Sequence, residues 1–370
     1  LWATEETGSW RPDTDISRMD NPTDAPAGPQ GAPGFKAIDH EWCERIAEQY
    51  LEGLSRESLL SIWVEAGYDP SMFHPTLERM EGDPIFKAAR RLQQRHMKLE
   101  SVVSNLQRLW EVSPDYGAVE KRTMPSREEF IERYVVGCRP VVLTDLTQDW
   151  PAMSRWSPED IRSRFGHVEV EIQDERDANP QYEQTRWLHT RKVRMAEFVD
   201  RVVSGGPTNN YYLTANNGLV RQPEFQTLYD DIGTLPAVCK PELLRRLSNL
   251  WFGPAGTISP MHHDTMMLFH TQIVGRKRWR MISPLETPRM YNHTRVYSEV
   301  DIDAPDLNRF PRFGQIGKML DVVVEPGETL FLPLAWWHDV TALDVSISFA
   351  FWNLDVPLVY HYADPGLYNA

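Results

Sequence analysis

The stretch Ser259-Pro-Met-His-His-Asp264 decides how this chain is read. Along an extended strand side chains alternate between faces, so His262 and Asp264 point to one side and His263 to the other. One short strand thus supplies two metal donors of different chemistry. The third has to arrive from elsewhere, and His338 offers it in Leu330-Phe-Leu-Pro-Leu-Ala-Trp-Trp-His-Asp-Val340. That stretch follows Glu325-Pro-Gly-Glu328, whose Pro-Gly pair suits a tight reversal feeding Thr329 to Leu332 back across a sheet. Two imidazoles and one carboxylate on one face of a metal leave the opposite positions open, the arrangement in which Fe(II) accepts a bidentate ligand and O2. An H-x-D pair alone is a weak signal. Joined to a later Trp-Trp-His behind a Pro-Gly turn, it becomes a specific one.

Between these clusters lies Gly275-Arg-Lys-Arg-Trp-Arg280, a turn entering a strand. Alternation places Lys277 and Trp279 on one face and Arg276, Arg278 and Arg280 on the other, so Lys277 turns inward while the arginines meet solvent. A single cation inside a metal-binding barrel calls for an anion, and the distal carboxylate of 2-oxoglutarate suits it.

Composition sets the outer limits. The chain has 370 residues, is 41% apolar and carries a formal charge of −14, which suits a globular protein and argues against nucleic acid as main partner. No apolar run is long enough for a membrane span and no secretory leader is visible, so the sequence reads as cytoplasmic, with no membrane partner. Cys43, Cys138 and Cys239 are odd in number and scattered, which offers neither a disulfide framework nor a thiolate zinc site.

Residues 1–38 are rich in Pro, Gly, Asp and Ser and read as an extended or disordered arm. Residues 39–113 carry apolar side chains at helical spacing, from Trp42, Ile46 and Tyr50 to Leu109, and predict three or four helices for capping, dimerisation or substrate recognition. Within them Ala89 to Lys98 is basic, as on a solvated helix face. From 114 to 355 the pattern turns to strands, at Pro140–Thr144, Val168–Ile172, Tyr211–Leu213, Thr257–Ser259, Leu268–Val274, Trp279–Ile282, Val322–Val324, Thr329–Leu332 and Ser346–Trp352. Helices are expected at Arg127–Val135, Pro158–Phe165, Met195–Val203 and Pro241–Leu247, and 356–370 is a tail.

At these residues the sequence resembles the JmjC, or cupin-like, family of Fe(II)- and 2-oxoglutarate-dependent oxygenases, and within it the asparaginyl hydroxylase group acting on hypoxia-inducible factor. The resemblance runs from about Pro125 to Leu354. It rests on Cys138-Arg-Pro-Val-Val-Leu143, Asp149-Trp-Pro151, Ser259 to Asp264, Gly275 to Trp279, Pro326-Gly-Glu328, Ala335-Trp-Trp-His338 and Ser348-Phe-Ala-Phe-Trp352. It implies a mainly β fold, a double-stranded β-helix of the cupin or jelly-roll kind, preceded by the helical region. His262, Asp264 and His338 match the family's metal ligands, and Lys277 the lysine that holds the cosubstrate's distal carboxylate. Tyr212, with Tyr211 as its alternative, and Ser259 match assisting hydroxyls, and Trp352 an aromatic beside the cosubstrate. Two positions depart from the pattern: Leu268 and Ala350 stand where relatives often carry asparagine.

The activity implied is hydroxylation of an unactivated C–H bond, in an amino-acid side chain of a peptide or protein, with succinate and CO2 as coproducts. The rivals are N-methyl-lysine demethylation, hydroxylation of a free amino acid or small molecule, and a non-oxidative metal-binding cupin. His263 and His270 could enlarge a metal cluster in the last case, though they read first as strand histidines with ordinary partners. A homodimer is open, and the acidic balance favours a basic substrate residue. The loop from Glu286 to Gly317, with Tyr291, Tyr297, Phe310 and Phe313, either lines the entrance or packs on the barrel.

Overall fold

The computed structural model describes residues 34–214, 218–292 and 296–357. Most of the expected arm and tail therefore lies outside the described residues. Contacts divide the chain into two compact units, Leu1–Leu99 and Glu100–Ala370, so the division falls inside the last N-terminal helix rather than near residue 113.

Four helices make up the N-terminal region: α1 (His40–Leu51), α2 (Arg56–Glu65), α3 (Phe73–Gly82) and α4 (Pro84–Glu111). Asp39 and Ser55 start the first two by accepting the free amides of Trp42 and Ser58 on their side chains, at 2.7 and 3.1 Å. Trp42, Ile46, Leu59, Trp63, Tyr68, Phe73 and Leu77 then bury together in one cluster.

The second unit continues with β1 (Glu120–Arg122), α5 (Arg127–Phe130), β2 (Val141–Leu143), α6 (Ala152–Arg155), α7 (Pro158–Phe165), β3 (Glu169–Gln173), β4 (Thr190–Arg194) and α8 (Met195–Ser204). The barrel strands follow: β5 (Ser248–Gly253), β6 (Ile258–His263), β7 (Leu268–Val274), β8 (Lys277–Ile282), β9 (Leu320–Val324), β10 (Thr329–Leu332), β11 (Trp337–Ala342) and β12 (Ser346–Phe351). They form a six-stranded sheet in the order β1-β2-β10-β7-β12-β5 and a four-stranded sheet in the order β6-β11-β8-β9. This is the expected double-stranded β-helix with helices ahead of it. No helix among the described residues is long and apolar enough to cross a membrane.

Two cores hold the barrel. The outer face of the large sheet packs Phe269, Phe331, Phe349 and Phe351 against Phe130, Trp150, Phe198 and Phe225. Inside, Val142, Met281, Leu320, Val324, Leu330 and Leu332 fill one end, and Leu268, Trp279 and Val340 top that cluster. Burial of this much contiguous apolar surface dominates the stability of such a fold. The other end stays open as a cavity.

The structure differs from expectation at five strand segments and at two of the expected helices. Residues 211–213 form isolated bridges, Tyr212 to Gln173 and Leu213 to Phe252, rather than a strand. Strands β1, β4, β5 and β11 were not anticipated. The helix from Arg127 widens into a π-type turn over Ile131–Val136, and the one expected at Pro241 is a short 3-10 turn over Pro241–Leu243.

Candidate active site

Strands β6 and β11 run antiparallel with His262 directly opposite His338, and the register shifts between His338 and Val340. His338 pairs with His262, yet Val340 pairs with Ser259, so β6 accommodates one extra residue around Pro260-Met261, a β-bulge. The bulge reverses the alternation. Ser259 therefore faces the interior with His262, although three positions separate them.

Asp264 follows directly after β6. The donor atoms of His262, Asp264 and His338 all lie within 4.8 Å of one another, and His338 Nε2 stands 3.8 Å from Asp264 Oδ2. Each histidine commits its other nitrogen to the backbone: His262 Nδ1 bonds the Pro260 carbonyl at 2.7 Å and His338 Nδ1 the Trp336 carbonyl at 2.9 Å. Nδ1 then carries the proton, and both Nε2 lone pairs are free to bind a cation. Burial holds the His338 imidazole well below its usual range, which keeps it neutral, while burial raises the Asp264 carboxyl. The turn before β11 is tied to the site as well: Ala335, at a left-handed φ of 59°, donates its amide to the Asp264 carbonyl at 3.1 Å. Two nitrogens and a carboxylate oxygen, with open space beside them, fit a six-coordinate metal such as Fe(II).

These residues open on a cavity enclosing about 900 Å³, its mouth included, with walls from both sheets. Ser259, Trp352, Leu268 and Ala350 line it, as do Lys277, Tyr212 and the three metal-site residues. Lys277 is buried and donates to Tyr212 Oη at 3.1 Å and Ser348 Oγ at 2.8 Å. Among the described residues no carboxylate pairs with it, and burial pushes its ammonium down to about 7. A buried cation held by two neutral hydroxyls is a socket for an anion. Tyr212, not Tyr211, is the hydroxyl at hand, since Tyr211 Oη donates instead to the Arg201 carbonyl at 2.9 Å.

Ser348, Arg280 and His270 depart from the sequence expectations, and His263 does not. Ser348 bonds Lys277 but was missed: its register across β12, opposite Trp251 and Gln272, is invisible without the sheet. Arg280 is buried rather than solvated, because Asp339 accepts its guanidinium at 2.7 Å and Asp303 from the following loop accepts it too. His263 turns outward as expected and packs edge-on against Trp337, with ring centroids 4.6 Å apart. His270 is no ordinary strand histidine: it lines the cavity and its Nε2 has no hydrogen-bond partner among the described residues.

The loop after β8 takes both expected roles. Tyr291 packs against Phe310 with the rings tilted and their centroids 4.9 Å apart, and Phe313 packs near Met261 and Trp337, which fastens the loop to the barrel. Tyr297 instead lines the cavity, its ring 5.6 Å from His262. It is placed there by backbone bonds from His263 to Val296 and from Ser298 to Met261, both 3.0 Å. Glu183 lines the cavity too, its carboxylate accepting from Arg176 at 3.0 Å and Gln173 at 3.1 Å.

Comparison with known proteins matches residues 126–355 to the model of the cupin-like domain. The chain is similar to lysine-specific demethylase 8 of Xenopus tropicalis, 35% identical over 241 residues, covering 64% of this chain and 52% of that protein. It is similar to lysine-specific demethylase JMJ30 of Arabidopsis thaliana, 31% identical over 247 residues, covering 63% and 54%. With human HSPB1-associated protein 1 the identity is 28% over 243 residues, covering 58% and 47%. The chain spans about half the length of the curated relatives it matches.

Proposed function

The chain belongs to the cupin-like, JmjC-type domain family, and from that premise we propose that it is an Fe(II)- and 2-oxoglutarate-dependent dioxygenase hydroxylating a side chain in a peptide or protein. The observation carrying this reading is the junction of two features in one cavity: a His-Asp-His donor set within 4.8 Å and a buried lysine without a carboxylate partner among the described residues. His262, Asp264 and His338 would hold the iron through Nε2, a carboxylate oxygen and Nε2. Lys277, steadied by Tyr212 and Ser348, would hold the distal carboxylate of the cosubstrate. When bound, iron and 2-oxoglutarate supply the oxidising chemistry: one atom of O2 enters the substrate C–H bond and the other the cosubstrate, which leaves as succinate and CO2.

The protein's own work is placement and exclusion. Trp279 backs His338, their rings 5.5 Å apart and nearly parallel, and Tyr297 covers His262. These aromatic walls keep water from the metal face and restrict where a side chain enters. The chain's acidic balance favours a basic side chain as substrate.

Hydroxylation, as in the asparaginyl hydroxylases, is the first reading and N-methyl-lysine demethylation the second, the latter favoured by relatives named lysine-specific demethylases. The test is incubation with Fe(II), 2-oxoglutarate, O2 and a library of basic peptides. Succinate with a peptide mass increase of one oxygen supports hydroxylation, formaldehyde supports demethylation, and no stimulated succinate contradicts both. A cytoplasmic location belongs to the same proposal: Cys43, Cys138 and Cys239 are all free, as in a reducing compartment.

A homodimer through α4 is part of this reading. Ile85, Leu92, Leu99 and Leu106 are seven residues apart and 80, 61, 66 and 49% exposed, with Val102 and Leu109 exposed three residues after Leu99 and Leu106. Apolar residues at that period wind a helix around another of the same period. Lys87, Arg90, Arg91, Arg95 and Lys98 crowd the N-terminal half, so a second copy would pack antiparallel, basic half against less charged half, avoiding the repulsion of a parallel pair.

A further inference from the structure

The cavity wall holds two buried polar groups that the proposed iron and lysine contacts leave unused. His270 and Trp279 line the cavity, are 4 and 3% exposed, and His270 Nε2 and Trp279 Nε1 find no hydrogen-bond partner among the described residues. They sit together, the imidazole edge-on to the indole with ring centroids 4.8 Å apart. Indole nitrogen only donates, and burial holds His270 well below its usual range, leaving a neutral imidazole that can donate through Nε2. Burying a donor without an acceptor is costly, and such groups persist in proteins where a ligand completes them.

Register sets the neighbours of the imidazole. On the large sheet His270 pairs with Ala350, and Ala350 pairs with Asn249, so these three cavity-lining residues stand in one row whose middle member is a short alanine. Leu268, two residues earlier on the same strand, offers no polar atom. Lys277 lies close enough for its charge to act on His270, as does His338. The two donors therefore stand between the lysine socket and the metal donors, along the path an elongated dicarboxylate must take.

We infer that His270 and Trp279 are cosubstrate-positioning residues, donating hydrogen bonds to oxygens of the bound 2-oxo dicarboxylate in place of the amides absent at Leu268 and Ala350. The inference rests on the oxygenase reading above. It keeps this cavity polar along a wall where Leu268 and Ala350 replace the asparagines that relatives often carry.

The test is anaerobic titration of the Fe(II)-loaded protein with 2-oxoglutarate, read by the visible charge-transfer band, in wild type, His270→Phe, His270→Asn and Trp279→Phe. Fe(II) retention by equilibrium dialysis serves as the folding control. The expected result is roughly tenfold weaker 2-oxoglutarate binding in His270→Phe, substantial recovery in His270→Asn, and weakening with a band shift in Trp279→Phe, at unchanged Fe(II) retention. If His270→Phe does not fold, Trp279→Phe, which keeps a ring and removes the N–H, carries the decision. A wild-type band with 2-oxoglutarate affinity unaltered within twofold in the folded variants overturns this inference alone. No band in wild type overturns it together with the oxygenase reading.

Discussion

His262 and His338 face each other across two antiparallel strands, in register, with ring centroids 4.1 Å apart and each Nδ1 tied to a carbonyl two residues earlier in its own chain segment. The symmetry is local and chemical: two strands deliver the same donor atom to one point. Replacing His338 with Ala removes one of three donors and leaves the other backbone bonds intact. Fe(II) affinity should fall by more than about 100-fold with the melting temperature little changed, read by dialysis and calorimetry.

Lys277 gives the cosubstrate site a pH dependence. Its ammonium is pushed down to about 7 by burial, with Tyr212, Ser348 and His270 around it. Below that pH the charge is present, and above it the charge is lost before an anion binds. The 2-oxoglutarate dissociation constant should be flat at acidic pH and rise about tenfold per unit above roughly 7, toward the value for Lys277→Met. A flat profile in wild type would count against a charged socket.

Gly253 sets where Tyr212 can lie. A Cβ at Gly253 would fall 2.6 Å from Tyr212 Cδ2, inside any tolerable contact. Gly253→Ala should move the ring off Lys277 and weaken 2-oxoglutarate binding, with a stability loss of about 1–3 kcal/mol and Fe(II) affinity retained. Titration and denaturant unfolding check the two parts separately.

Tyr297 covers His262 from a loop that Arg280 fastens through Asp303. Tyr297→Ala should raise KM for the peptide and lower substrate oxidation while the Fe(II)/2-oxoglutarate band persists. Unchanged peptide kinetics would remove Tyr297 from the entrance.

The seam on α4 predicts an oligomer that two charges abolish. Leu92→Glu with Leu106→Glu should convert a dimer to a monomer by light scattering, with helix content preserved. A wild-type monomer at tens of micromolar contradicts the seam's proposed use.

Much of this architecture was legible because a strand's period is two. His262 and Asp264 share a face by spacing, and the same alternation turned Lys277 inward and Arg278 outward. What escaped had physical causes. Thr190–Arg194 carries three basic residues and, on a two-stranded pair with β3, needs only Val193 to face inward. Trp337–Ala342 follows Pro333 and the left-handed Ala335, so its start looked like a turn. The bulge at Pro260-Met261 and the contact of Ser348 with Lys277 arise from pairing between distant strands, which one sequence does not display. Alternation set Arg280 opposite Lys277, and its burial depends on Asp339 and Asp303, which lie far along the chain and accept its guanidinium.

In the proposed site one cavity binds Fe(II) through His262, Asp264 and His338 and 2-oxoglutarate through Lys277. Anaerobic addition of Fe(II) and 2-oxoglutarate to the metal-free protein, followed in the visible range for wild type, His338→Ala and Lys277→Ala, tests it most directly. The expected result is a charge-transfer band in wild type, its loss in His338→Ala and a requirement for more 2-oxoglutarate in Lys277→Ala. No band in wild type, with tight binding of Zn(II) or Mn(II) instead, would contradict it and leave a non-oxidative cupin.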